Sequence, residues 1–216
     1  MWSILRKDLL LELRTREAIA ALVVLVVLIL LTFTFALDPE GARAAAPAVL
    51  WVTLIFAGLL AVQRTFLVER ESGAWYGLLL GPVDRGAIFV AKLVANLVVL
   101  AIADVVLTSL LVLVLGTGIP AAPLELAFVN ALGLIGFSAL ATLFAAISVR
   151  LRARELLLPL LVLPLLVPVV ICAVEASRIV LAGGGASAAA WLRVLATFDV
   201  IVTVAGWMLF EQLVLE

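Results

Sequence analysis

The chain has 216 residues, of which 67% are hydrophobic and 13% charged, with a formal net charge of −1. Soluble domains run at roughly half apolar and about a quarter charged, so most of this chain's outer face must meet lipid rather than water. The balance excludes a disordered chain. The single cysteine, Cys172, excludes a disulfide scaffold, and the absence of histidine excludes His-based zinc sites, triads and haem ligation within the chain. Near-zero charge gives no reason to expect nucleic-acid binding.

In chain order, residues 1–17 come first, with Trp2, Leu5, Leu9 and Leu13 at helical spacing and Lys7 and Arg14 opposite. This pattern suits a helix lying in the membrane interface or a plain extension of the first span, and the interfacial helix fits better. Six hydrophobic stretches long enough, or nearly so, to cross a bilayer then follow, over 18–37, 47–63, 86–115, 124–149, 156–181 and 191–210. The runs are too long and unbroken for a barrel's alternation, so the predicted fold is an all-α, polytopic bundle of six transmembrane helices over 18–216. The first apolar run exceeds the ~7–15 residues of a signal peptide and reads as a retained anchor. The second span is expected to begin at Pro47, in a first turn where proline costs little.

Eleven of the fourteen basic residues fall in the amino-terminal tail, the 2–3 connection with the start of span 3, and the 4–5 connection. By the positive-inside bias both termini face the cytoplasm, as in a multi-pass protein of a bacterial-type inner membrane. The three opposite loops, 38–46, 116–123 and 182–190, have turn chemistry and little room for a site. The 2–3 connection, 64–86, carries its charges at the ends. Its uncharged middle, with Trp75 and Tyr76, is too short to span, so it lies on the headgroups or enters a partner's groove.

The chain has no P-loop, G-x-S-x-G or H-E-x-x-H motif, so no catalytic residues, metal ligands or bound cofactor are assigned. An intramembrane enzyme is the least favoured class, because no nucleophile and base are paired. The candidate residues are the polar ones inside spans, since a carboxylate at mid-bilayer costs about 2.5–3.5 kcal/mol. Asp104 lies about 16 Å from the outer end of span 3 and Asp199 about 12 Å into span 6, which predicts similar depth. They line a shared polar cavity or interface, or only fix local packing. Lys92 and Asn96 share a face of span 3, with Lys92 able to snorkel to the interface. Asn130 is placed to hydrogen-bond across helices, and Ser138, Thr142 and Ala146 form a small-residue stripe. Cys172 reads as a small hydrophobe. Pro159, Pro164 and Pro168 bend span 5, either as a hinge or as a static curve. Glu175 and Arg178 are spaced to pair.

The stretch 46–97 resembles the haem exporter protein B (CcmB) family. The elements are P-x-x-x-W from Pro47 to Trp51, R-x-F-x-x-E (Arg64, Phe66, Glu69), G-x-x-x-G-L-L-L from Gly73 to Leu80, and Ala91-Lys92. The run L-x-L-P-L-L-V-P at 161–168, the tail R-K-D-L-x-L-E-L-R, the length and the six spans agree. The resemblance implies a permease subunit of an ABC-type complex of c-type cytochrome biogenesis, driven by a separate ATPase (CcmA-like). It further implies a haem-handling membrane protein (CcmC-like), a small CcmD-like subunit and a haem chaperone (CcmE-like) that the complex releases. Haem is then handled by the complex and ATP is bound by the partner. In similar ABC-2 exporters the 2–3 connection holds the helix that seats in the ATPase. Glu69, Glu71, Trp75, Tyr76, Leu79 and Pro82 match that segment, while Val83-Asp84-Arg85 departs from the apolar continuation of many relatives. Two six-span copies would give a twelve-helix transporter. A non-transporting scaffold for haem-handling proteins, or an ABC-2 subunit for another substrate, are the alternatives. A mechanical coupling role fits a chain without histidine better than tight haem binding.

Overall fold

In the computed structural model, the described residues are 16–71, 84–115, 122–148 and 154–215. They form six long helices and no strand: α1 Arg16–Ala36, α2 Pro39–Glu71, α3 Arg85–Leu115, α4 Pro123–Ser148, α5 Arg154–Leu181 and α6 Ala189–Leu215. A short 3-10 turn, Gly185–Ala188, precedes α6. Five helices are long and apolar enough to cross a membrane, and the apolar part of α1 described in full is Val24–Ala36. Successive helices reverse direction. The starts of α1, α3 and α5 therefore share one end of the bundle with the ends of α2, α4 and α6, here called the terminal side.

Local chemistry sets the helix ends. Asp84 caps α3, its Oδ2 accepting the Ala87 backbone N–H at 3.0 Å. α2 and α4 open on Pro39 and Pro123, where a missing N–H is harmless. α5 stops at Gly183, whose φ of +80° only glycine adopts freely. The Gly183 and Gly184 N–H groups donate back to the Val180 and Ile179 carbonyls at 3.0 and 2.9 Å, closing the last turn.

Two sequence expectations change here. α2 begins eight residues before Pro47, so Pro47 lies inside the helix and residues 39–46 are helical rather than a loop. Ala42, Ala45 and Ala46 favour helix strongly enough to carry the chain into span 2 without a turn. At its other end α2 runs on past its apolar window, which closes at Gln63, to Glu71. With 33 residues it is about 50 Å long, well beyond the ~30 Å of a hydrocarbon core. Of the expected interfacial helix over 1–17 and the loop at 116–123, residues 1–15 and 116–121 lie outside the described residues, and Arg16 and Glu17 belong to α1.

α4 is the centre of the bundle, packed against α2, α3, α5 and α6, while α1 covers α2 and α3 from outside. The apolar windows of α2 and α4 are 72% buried, against 17% for that of α6. The composition of α4 explains its place: Gly133, Gly136, Ser138, Ala139, Ala141 and Thr142 keep its surface low, so neighbouring backbones approach closely. Its large residues Leu134, Phe137 and Leu140 fill the core between them.

Candidate functional site

The polar residues expected inside the spans are buried: Lys92, Asn96, Asp104, Asn130 and Asp199 all face the interior of the bundle. Most of them meet at the surface of α4, in three stations along its length.

The station nearest the far side joins α3 to α4. The Asn130 Nδ2 donates to both carboxylate oxygens of Asp104, at 2.9 and 3.0 Å. The Thr108 hydroxyl, one turn along α3, adds a longer bond of 3.4 Å to Asp104 Oδ1. In hydrocarbon no water can supply these donors, so a buried acid must find them on a neighbouring helix. The amide's own Oδ1 finds no partner among the described residues.

The middle station joins α6 to α4. Asp199 is 5% exposed, and its Oδ1 lies only 2.5 Å from where a Cβ on Gly136 would sit. Glycine is required there because any side chain would displace the carboxyl. Neither oxygen of Asp199 has a hydrogen-bond partner among the described residues. Gly136 lies six residues beyond Asn130 on α4, about 9 Å along the axis and about 120° around it. Asp104 and Asp199 thus meet α4 at different depths and on different faces, and no hydrogen bond joins them. Asp199 sits deeper than the span limits imply because the 3-10 turn and Ala189 lengthen span 6 on the far side.

The third station lies toward the terminal side. The Asn96 Nδ2 donates to Thr142 Oγ1 at 2.8 Å, so α3 and α4 are bonded twice across their contact. Lys92, one turn away, is 1% exposed and turned inward rather than snorkelling outward. The stripe of Ser138, Thr142 and Ala146 is buried, as close helix packing requires.

A fourth contact went unnoticed in the sequence. The Trp51 indole N–H donates to the Ser177 hydroxyl at 3.1 Å, tying α2 to α5, and the ring lies against Gly133 of α4. Tryptophan and glycine each appear in the sequence, but nothing in the spacing pairs residues 126 apart. Buried Cys172 lies in the core of α5 as a free thiol. Arg178 donates from Nη2 and Nε to Glu175 Oε2, at 2.6 and 3.0 Å, on the surface near the end of α5.

Pro159, Pro164 and Pro168 lie within a continuous α5. Pro164 and Pro168 are exposed, while Val162, Leu166 and Val169 form the buried face. In the connecting segment, Glu69 and Glu71 lie on the helical extension of α2, and Trp75, Tyr76, Leu79 and Pro82 lie outside the described residues. Among the described residues, no group of three or more His, Cys, Asp or Glu could hold a metal ion.

A helical bundle with a low-profile central helix and polar residues held between spans defines a polytopic all-α membrane protein of permease architecture. The family model described as CcmB protein matches residues 1–210. Curated relatives named "Heme exporter protein B" agree. Those of Rhodobacter capsulatus and Paracoccus denitrificans are each 31% identical over 180 residues, covering 82% of both chains. That of Bradyrhizobium diazoefficiens is 30% identical over 191 residues, covering 84% of this chain and 82% of its own. The chain belongs to the CcmB family.

Proposed function

We propose that this chain is the membrane permease subunit of an ABC-type haem exporter serving c-type cytochrome biogenesis. In this reading it converts ATP hydrolysis by a partner into rearrangement of the membrane complex. The observation that carries it is the family match over nearly the whole chain, joined to a bundle whose interior polar groups sit between helices rather than in a catalytic cluster. The chain has no P-loop, so the ATPase is a separate, CcmA-like subunit. Haem is the cargo of the complex, with CcmC-like, CcmD-like and CcmE-like proteins as its other members. The protein lies in the inner membrane with both termini cytoplasmic and pairs with a second copy.

The coupling segment is 64–86, with Glu69, Glu71, Trp75, Tyr76, Leu79 and Pro82 seating in the ATPase. The helical extension of α2 beyond its apolar window supports this, because it projects the chain out of the hydrocarbon toward a partner on the terminal side. Pro159, Pro164 and Pro168 give α5 its capacity to bend.

The test is mild solubilisation of the tagged chain from its native membrane and identification of what co-purifies. An ATPase together with a haem-handling membrane protein supports the proposal. An ATPase alone leaves an ABC permease for another substrate, and neither leaves a scaffold. Trp75→Ala with Leu79→Asp should abolish ATPase co-purification while the chain still inserts. Undiminished co-purification of that double variant would count against the coupling assignment.

A further inference from the structure

The start of α3 and the end of α6 interlock reciprocally. The Trp207 indole of α6 lies directly against Gly86 of α3, and the Phe89 ring of α3 lies 2.6 Å from where a Cβ on Gly206 of α6 would sit. Each helix thus presses an aromatic ring into the other's glycine, within one turn of each other. The Phe89 and Phe210 rings close the joint with centroids 5.6 Å apart and planes tilted by 50°, a favourable aromatic geometry. Phe89 and Phe210 are fully buried. Sliding or rotating one helix against the other requires both rings to leave their notches at once, and close-packed contacts of this kind hold or jump rather than deform.

The same face of α6 leads inward. Phe210, Gly206 and Asp199 lie within about 20° of one azimuth at 100° per residue, and Leu195 continues the buried line. Asp199, two turns from Gly206, is the next contact of that face and rests on Gly136 of α4.

We infer that the first turns of α3 and the last turns of α6 move as one rigid body, with Gly86 and Gly206 as its positioning residues. Displacement of the 64–86 connection then reaches mid-membrane through α6 and is delivered at the Asp199–Gly136 contact. The rigid body stands on the contacts alone, and its drive by an ATPase rests on the function proposed above. The connection is covalently continuous with α3, and this joint passes from the first turn of α3 to α6. α6 is the least buried of the five spans, so much of its surface faces outward rather than into the bundle.

The test uses the full chain in liposomes, carrying Cys172→Ala so that introduced cysteines are the sole labelling sites. One nitroxide pair, Ala87→Cys with Met208→Cys, spans the joint. A second, Ala131→Cys with Val204→Cys, reports α6 against α4. Distances are measured by pulsed electron resonance in the chain alone, and in the complex with its ATPase with and without ATP. The expected result is a narrow distribution for the first pair, unchanged by ATP, and a shifted one for the second. Gly206→Leu, which blocks the Phe89 notch, should broaden the first pair in the chain alone. A broad first pair in the unsubstituted chain, or no broadening with Gly206→Leu, would overturn the rigid body whether or not an ATPase binds. A first pair that shifts with ATP, or a second that does not, overturns the delivery to Asp199. Failure of any ATPase to bind removes the coupling reading and leaves the joint to be judged on the chain alone.

Discussion

Two aspartates, each buried between spans and each facing α4, have opposite surroundings. Asp104 is met by an amide that donates to both of its oxygens, and the hydroxyl of Thr108 adds a third bond. Asp199 is met by a glycine, and neither oxygen is bonded among the described residues. An acid placed in hydrocarbon is costly at either position, and the two differ in what offsets that cost. At Asp104 a specific helix contact does so, and α3 and α4 are held in register. At Asp199 close packing puts the acid where it is, without donors to hold it there. The first region is held by a specific polar contact and the second by close packing alone.

The largest expected effect follows from breaking the first region on one side. Asn130→Leu removes the donor from both oxygens and strands a buried acid, which should cost about 2 kcal/mol or more. Asp104→Leu combined with Asn130→Leu removes both partners and should restore most of that loss, since two apolar side chains pack without unmet polar groups. Thermal unfolding in detergent of the two single variants and the double variant forms the cycle. Additive losses would mean that the pair is not the structural bond described here.

Gly136→Ala tests the second region from the α4 side. A Cβ there would lie 2.5 Å from Asp199 Oδ1 and 3.3 Å from the Phe198 ring, so α6 must shift outward. The expected cost is about 1–2 kcal/mol, at the lower end for overpacking because the carboxyl can swing. Asp199→Ala in the same chain should relieve it. A Gly136→Ala variant as stable as the parent would show that α6 does not rest on this notch. Thr142→Val, which takes the acceptor from Asn96, should cost less again. Hydrogen bonds between membrane helices contribute about 0.6 kcal/mol on average, and the same unfolding measurement would register that loss.

The contrast between the two aspartates was only partly legible in the sequence. Hydropathy alone reveals the six helices, because a span must be apolar over its whole length. The stripe of Ser138, Thr142 and Ala146 and the cross-helix role of Asn130 are also readable, since small and amide residues have few uses in lipid. Pairing Asp104 with Asn130 instead of with Asp199 is not readable, because depth counted from span ends misses the turn that lengthens span 6. Lys92 misleads for a related reason: a lysine near a span end can reach water, yet here it is turned inward. The glycine notches at Gly86, Gly133, Gly136 and Gly206 are invisible until the neighbours are known, as a glycine in a sequence does not say which ring or carboxyl it receives.

The smallest expected effect on stability separates the two regions most sharply. Asp199→Asn keeps shape and size and removes no hydrogen bond found among the described residues. It should therefore change stability by less than about 0.5 kcal/mol, below the value of one ordinary hydrogen bond. Asp104→Asn, by contrast, turns one of the two oxygens that accept from Asn130 Nδ2 into a donor, so the present two-oxygen contact is lost and the pair must rearrange. If Asp199 only filled space, the asparagine variant would mature c-type cytochromes as well as the parent. If α6 leaves Gly136 during the transport cycle and the acid finds a donor elsewhere, the variant should lose about fivefold or more in cytochrome yield, the low end of a coupling between sites. Reduced yield from a chain of unchanged stability and abundance identifies Asp199 as a working residue. Unchanged yield would reduce the middle station to packing, in contrast to the hydrogen-bonded Asp104–Asn130 contact.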